Sequence, residues 1–461
     1  MSVVSQVRGA VQRVSPRTIL WIGFAVFLLY AFPGYMSNDS VDQLLDARGG
    51  AFSDAHPPVM AEEWRLLDQI ITGPILMLLV QGSLFLVGLY GILRHVMAAR
   101  AAAVSAVVVM LFPPVLTTMA VIWKDSQMAA FLLAGTALLL GPRLPRRVLG
   151  LVLLSLGCAF RHNAFAAEVP LVGLLFVWRP GLRWWQRYAI SAVASLAVFA
   201  GALGISSALT VHHVAVVDSV ALTDIVGVLN YSRDRGDEEL REVLRGVPVR
   251  DLTGIQARAR QLFSPRSAMP LFYGERPFYV MPKPEEHEAI ARAWRTLIGG
   301  DLRSYLTYRG TAFLELLGLS ESDLWLPVWA QFLGYQELRP YIHHNAGASG
   351  FQQLVAPGLL WTAFDLPMFR PYLYAAIALL LLVWCCRDAL SFGLIASGLL
   401  YELSYFPADN TVDFRYSHWM ITCTVIAVVV MFARRWRAGQ RDRGVALAPV
   451  PAEAPAGTVT R

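Results

Sequence analysis

The chain has 461 residues, 56% of them hydrophobic and only 16% charged, with a formal net charge of +6. A soluble globular chain is about 25% charged, so the composition excludes an ordinary soluble enzyme, and the mean hydropathy of +0.49 agrees. The apolar residues lie in blocks long enough for bilayer spans and are not spread as several soluble cores would need.

Ten blocks read as membrane spans, at 18–36, 74–93, 101–122, 127–141, 148–162, 164–178, 189–211, 371–386, 389–405 and 416–433. Those at 127–141, 148–162 and 164–178 are short against the about 20 residues a spanning helix needs. The first block, TILWIGFAVFLLYAFPGYM, reads as a span, because it outruns the apolar core of a signal peptide and lacks an evident cleavage site. Cytoplasmic loops retain Arg and Lys near span ends. With the N-terminus inside, every inner gap is basic: Arg8, Arg13 and Arg17; Arg94 and Arg100; Arg143, Arg146 and Arg147; Arg179, Arg183 and Arg187; Arg387; and Arg434, Arg435 and Arg437. The pattern predicts a multi-pass protein of the cytoplasmic membrane with both termini cytoplasmic. It also accounts for the positive charge, which gives nucleic acid little support as a partner. Cys158, Cys385, Cys386 and Cys423 fall in or beside spans with no metal spacing, and read as packing residues.

The first outer loop, 37–73, is acidic. A helix over 38–47 would put Asp39 and Asp42 three apart on one face, with Asp46 a turn further. Stacked carboxylates raise one another's pKa or bind a cation; a solvated acidic face with Asp39 as an N-cap is the competing reading. Downstream, Asp54-Ala55-His56-Pro57-Pro58 reads as a rigid extended turn holding Asp54 and His56 together, or else as a plain loop corner. Three further charged groups fall at the same membrane face: Lys124-Asp125 after the third span, Arg161-His162-Asn163 between the fifth and sixth, and Asp413-Phe414-Arg415-Tyr416 opening the last. Local pairing and snorkelling are the bland explanations, yet ionisable residues at membrane depth are functional by default.

The segment from 212 to 353 reads as a small extracytoplasmic helical cap, with helical signals at 236–247, from Pro284 and from Asp301, joined by Pro- and Gly-rich connections. LVAPGLLWTAF at 354–364 is too short to span and reads as interfacial or re-entrant. The domain plan is therefore an N-terminal transmembrane module (1–211), the cap (212–353), a C-terminal transmembrane module (354–437) and a disordered cytoplasmic tail (438–461).

This pattern resembles the GT-C superfamily of polytopic glycosyltransferases, which includes protein O-mannosyltransferases and aminoarabinose transferases. The resemblance rests on Asp39 and Asp42 directly after the first span, on Asp54-Ala55-His56-Pro57-Pro58, and on Lys124-Asp125. The stretch from Trp294 through Asp301 to Arg309 and Asp413-Phe414-Arg415-Tyr416 complete it, and the architecture covers the chain to about residue 437. It implies an all-α GT-C-like transmembrane helix bundle that moves a sugar from a polyprenyl-phosphate donor to a glycan, lipid or protein acceptor outside the cytoplasm. Asp39 would be the general base, with Asp42 its alternative or partner. Arg415, Arg161 and Lys124 would meet the donor phosphate, while Asp54, His56, Asp125, His162, Asp413 and Tyr416 would position substrates. Many members carry an adjacent Asp-Glu pair in the first loop, where this chain has Asp39-Ser40-Val41-Asp42. The absence of a dense oxygen-ligand motif favours no tightly bound cofactor, with Mg or Mn as the divalent alternative. A transporter or flippase of lipid-linked glycans, a glycan polymerase or ligase, and a non-catalytic scaffold are the rival readings. The Arg-for-Lys bias, with Lys124 and Lys283 the two lysines, fits a GC-rich bacterial genome.

Overall fold

The computed structural model describes residues 14–50, 52–53, 56–176, 182–212, 216–320, 327–328, 348–386, 388–408 and 411–443. Among them the chain is helical, with isolated bridges and no strands. In order, the helices are α1 (Pro16–Ala31), α2 (Asn38–Gly49), α3 (Pro58–Asp68), α4 (Ile75–Leu93), α5 (Ala99–Met110), α6 (Pro113–Met119), α7 (Lys124–Leu139), α8 (Leu144–Phe160), α9 (Ala164–Val172) and α10 (Trp184–Leu209). There follow α11 (Val216–Tyr231), α12 (Asp237–Val243), α13 (Ile255–Leu262), α14 (Met269–Phe272), α15 (His287–Gly300), α16 (Leu302–Leu316), α17 (Gly350–Phe364), α18 (Pro371–Trp384), α19 (Ala389–Ala408) and α20 (His418–Asp442).

Each apolar block forms helix, but the ten blocks are not ten full-length spans. Among the described residues four helices are long and apolar enough to cross a membrane: α4, α10, α19 and α20 with its preceding turn; α5 and α6, bent by 71° at Leu111-Phe112, make a fifth if counted as one. Pro113 and Pro114 break that block, because proline disfavours helix in the residue before it and is well placed to start the next one. The block at 164–178 yields only the nine residues of α9, with Pro170 inside it, and a 3-10 turn at Gly173–Phe176.

The centre of the bundle is α7, buried on all sides from Asp125 to Thr136. Helices without a hydrophobic driving force between them associate through close small-residue contacts, and α7 uses glycine on two flanks. A Cβ at Gly88 of α4 would meet the Ala134 nitrogen at 2.7 Å, and one at Gly150 of α8 would meet the Gly135 carbonyl at 2.9 Å. Backbone atoms cannot step aside, so Gly150→Ala is expected to part α7 from α8 at a cost of about 1–3 kcal/mol. Gly204→Ala on α10, where nothing lies within 4 Å, serves as the control. Thermal unfolding of the purified protein should show a clear drop for the first variant and none for the second.

The 222–298 region has its own buried core, including Leu222, Leu229, Phe278 and Leu297. It is cross-braced by Arg309 on Asp224 at 2.6 Å and by the Trp294 indole donating to Asp224 at 2.8 Å. The cap reaches the membrane body through Phe313 edge-on to Phe406 and through the Val412 amide donating to the Arg266 carbonyl at 2.8 Å. The predicted helices at 236–247, 284–300 and after 301 are α12, α15 and α16. The apolar stretch at 354–364 lies in α17, which starts earlier and ties to the end of α1 through Gln352, whose amide donates to the carbonyls of Tyr30 and Phe32. Residues 438–442, placed in the disordered tail by the sequence, continue α20, and the tail beyond Arg443 lies outside the described residues.

Candidate functional site

Two chain segments are clamped together just before α2 and α7. The Tyr35 amide donates to the Ala120 carbonyl at 3.0 Å, and the Ile122 amide to the Tyr35 carbonyl at 2.9 Å. The Ser40 hydroxyl donates to the Ile122 carbonyl, and the Trp123 indole to the Ser37 hydroxyl, both at 2.7 Å. The clamp sets the starts of α2 and α7 side by side, and each carries an aspartate at its second position, Asp39 and Asp125. A carboxylate there is favoured by the unpaired amides of the first turn.

The turn that opens the last span brings Arg415, and the end of α8 brings Arg161. Asp413 caps the short turn at Phe414–Ser417, accepting from the Arg415 amide, and its carboxylate also holds the Arg415 Nε at 2.9 Å. The other end of the guanidinium reaches Asp39 at 2.7 Å, while Nε lies 3.8 Å from Asp125. Asp125 takes a short ion pair from Arg161. Arg161 leaves α8 in extended conformation, and its guanidinium covers the Tyr416 ring at 4.4 Å and the Tyr405 ring at 5.3 Å. Tyr405 and Tyr416 stack at 4.9 Å, and the Tyr401 and Tyr405 hydroxyls share a hydrogen bond of 2.8 Å. Arg415 lies over Trp123 at 4.8 Å. Four segments far apart in sequence thus form one buried network of acids, guanidiniums and aromatic rings.

Lys124 is half-buried beside this network and makes no ion pair among the described residues. Three cations, Lys124, Arg161 and Arg415, balance three carboxylates, Asp39, Asp125 and Asp413. Exposure separates the members: the Asp125 side chain is 1% exposed and Arg415 9%, whereas Asp39 is 36% exposed. Asp39 is therefore the carboxylate that the network presents outward.

Burial alone would raise the Asp39 carboxyl, but Arg415, Lys124 and His56 outweigh it and hold it well below the usual carboxylate range. Asp42 behaves oppositely, pushed up by burial and by Asp39 and Asp46; it is 60% exposed and sits 3.9 Å from the His56 Nε2. The two acids of α2 thus part in environment. His56 is held down to about 4, by burial first and then by Lys124, so it is neutral at pH 7. The unfolded chain takes up this proton near pH 6.5 and the folded one only near 4, so folding stability is lost as pH falls through that window. At about 1.36 kcal/mol per unit, discounted for the partial exposure of the ring, the loss is about 2 kcal/mol. His56→Gln is expected to abolish it, read as the difference in thermal unfolding between wild type and variant at pH 7 and pH 4.5.

The expected rigid extended turn at Pro57-Pro58 is instead the start of a helix, with Pro57 as N-cap and Pro58 at the first position of α3. Proline suits that position because its missing amide would be unpaired there anyway. Asp54 lies outside the described residues, and His162 is exposed at the turn into α9. Trp123, Tyr401 and Tyr405 have no place in the sequence-based site, although the i, i+4 spacing of the two tyrosines puts them on one helix face. Among the described residues no three His, Cys, Asp or Glu side chains converge as a metal-ligand set; Asp39 and Asp413 both turn to Arg415.

The fold and this network define an all-helical membrane protein with an ion-paired polar site at one end of its helix bundle. No family model, no curated protein and no solved structure matches the chain.

Proposed function

We propose that the chain is a GT-C-type glycosyltransferase of the cytoplasmic membrane, with both termini cytoplasmic. It takes a sugar from a polyprenyl-phosphate donor and passes it to an acceptor on the outer side. The observation that supports this reading is the meeting of Asp39, Asp125, Arg161, Asp413 and Arg415 in a single network at the end of the bundle where the clamp, the cap contact and the loop after α1 also lie.

The chemistry assigned to these groups follows from their state. The acceptor hydroxyl attacks the anomeric carbon, its proton passes to a carboxylate, and the bond from that carbon to the phosphate oxygen breaks with the electron pair leaving on the phosphate. A carboxylate held by a guanidinium is a weak base, so Asp39 works as one only when Arg415 is drawn from it. A donor phosphate competes for Arg415 directly, because guanidinium pairs phosphate as readily as carboxylate. Donor arrival therefore restores the basicity of Asp39 at the moment it is needed. Lys124, with no carboxylate of its own among the described residues, supplies the second phosphate contact. Neutral His56 and Asp42 hold the acceptor side, and Tyr416 flanks the sugar.

The buried ionisable side chains deeper in the body, Glu168, Glu402 and His418, are what a transporter of lipid-linked glycans would use. Offering the purified protein in vesicles a panel of polyprenyl-phosphate hexoses and pentoses together with an extract of envelope glycans and lipids as acceptor separates the two. A transferase converts the donor to polyprenyl phosphate, whereas a transporter leaves it intact and changes only its leaflet.

A further inference from the structure

A groove of about 1500 Å³ runs along one flank of the body between α9, α10 and α19. Small-molecule sites occupy about 300–1,000 Å³, so this one suits a larger occupant. Its origin lies in the chain: α9 stops after nine residues, with Pro170 inside, while its neighbour α10 continues for 26. Among the described residues the flank beside the short helix is left unfilled. The lining runs from Arg187 to Phe199 on α10 and from Ala389 to Leu400 on α19, which at 1.5 Å per residue is roughly 17 Å, over half the hydrocarbon thickness of a bilayer.

The groove is polarised along its length. One end has Arg187 and Tyr188, with Arg183 one helical turn before them; Ser191 follows one turn further in, and then Leu196 and Phe199. Charge, aromatic belt, hydroxyl and hydrocarbon follow in the order in which a phospholipid presents phosphate, glycerol and acyl chain. In the floor lies Glu168, 1% exposed, facing Ser195 and with its Oε1 unpartnered.

We propose that this groove is a binding site for an anionic phospholipid, its phosphate at Arg187, its glycerol beside Ser191 and an acyl chain along Leu196 and Phe199, covering Glu168. The proposal is independent of the transfer reaction, in which this lipid takes no part. Glu168 offers the readout, because dicyclohexylcarbodiimide is an apolar reagent that modifies carboxyl groups it reaches from the lipid phase.

The full chain is labelled in detergent after delipidation, then in nanodiscs of phosphatidylglycerol and of phosphatidylcholine, and the Glu168 adduct is quantified by peptide mass spectrometry with Glu168→Gln as the blank. Labelling is expected in detergent, with at least fivefold protection in phosphatidylglycerol and little in phosphatidylcholine. In Arg187→Gln, labelled equally in detergent, the phosphatidylglycerol protection should vanish. Native mass spectrometry of the wild-type protein should retain phosphatidylglycerol in preference to phosphatidylcholine. Equal protection by the two lipids, undiminished protection in Arg187→Gln, or protection by a polyprenol without phosphate would overturn the assignment. So would failure to label in detergent, since the groove would then be closed to apolar molecules.

Discussion

Arg415→Ala is expected to leave no measurable sugar transfer and to destabilise the fold by about 3–5 kcal/mol. The guanidinium joins Asp39 at 2.7 Å and Asp413 at 2.9 Å and lies 3.8 Å from Asp125. Alanine leaves Asp413, which is buried, without its cation, and an uncompensated buried charge costs far more than the pair contributes. Arg415→Lys separates fold from function: a single ammonium restores part of the charge balance but not the two-pronged geometry, so most of the stability returns and little of the activity. Thermal unfolding and donor turnover measured on the same preparations check both. An alanine variant that unfolds and turns over like the parent would remove Arg415 from the network's centre.

Asp125→Ala is the second large effect. Asp125 stands at the start of the central helix, 1% exposed, and is the carboxylate that holds Arg161. Without it Arg161 keeps its ring contacts with Tyr416 and Tyr405, and a cation over an aromatic face returns only about 0.5–2 kcal/mol. A loss of about 3–5 kcal/mol follows from the unpaired buried guanidinium, with the Lys124 end of α7 loosened alongside it. Asp125→Asn keeps an oxygen for Arg161 and gives up the charge, so it should fall between alanine and wild type. The unfolding temperatures of the three proteins in one detergent test the order, and an alanine variant as stable as wild type would contradict it.

Much of this network was legible in the sequence, because charge is conspicuous against an apolar background. Asp39, Lys124-Asp125, Arg161 and Asp413-Arg415 stand out at one predicted membrane face, and the structure brings them into one assembly. The partners within it were not legible: pairing Arg415 with Asp39 joins positions 376 apart, and sequence spacing gives local partners such as Asp413 but no distant ones. The opposite fates of Asp39 and Asp42 were hidden for the same reason, since three residues of helix put both on one side and the distant cations, Arg415 first and then Lys124, act on Asp39. Proline misled at Pro57-Pro58, where the extended reading overlooked helix initiation. Hydropathy located the helices but missed their ends in both directions: a window of apolar residues registers neither the break at Pro113 nor the early stop after Val172, and it closes the last span at 433 where α20 runs on to Asp442. The serine clamp under Asp39 and Asp125 has no sequence signature, as Ser40 and Ser37 meet partners 82 and 86 positions away.

On the proposed reading, the outward-facing carboxylate of this network removes the acceptor proton during sugar transfer. The initial rate of polyprenyl-phosphate release from a polyprenyl-phosphate sugar, with an extract of envelope glycans and lipids supplied as acceptor, is measured for wild type, Asp39→Asn and Asp42→Asn, each with its unfolding temperature. Release is expected from wild type, with a loss of at least a hundredfold in Asp39→Asn, in line with the usual contribution of a general base, with the fold retained, and a smaller loss in Asp42→Asn. Release by a folded Asp39→Asn protein at the wild-type rate would contradict it.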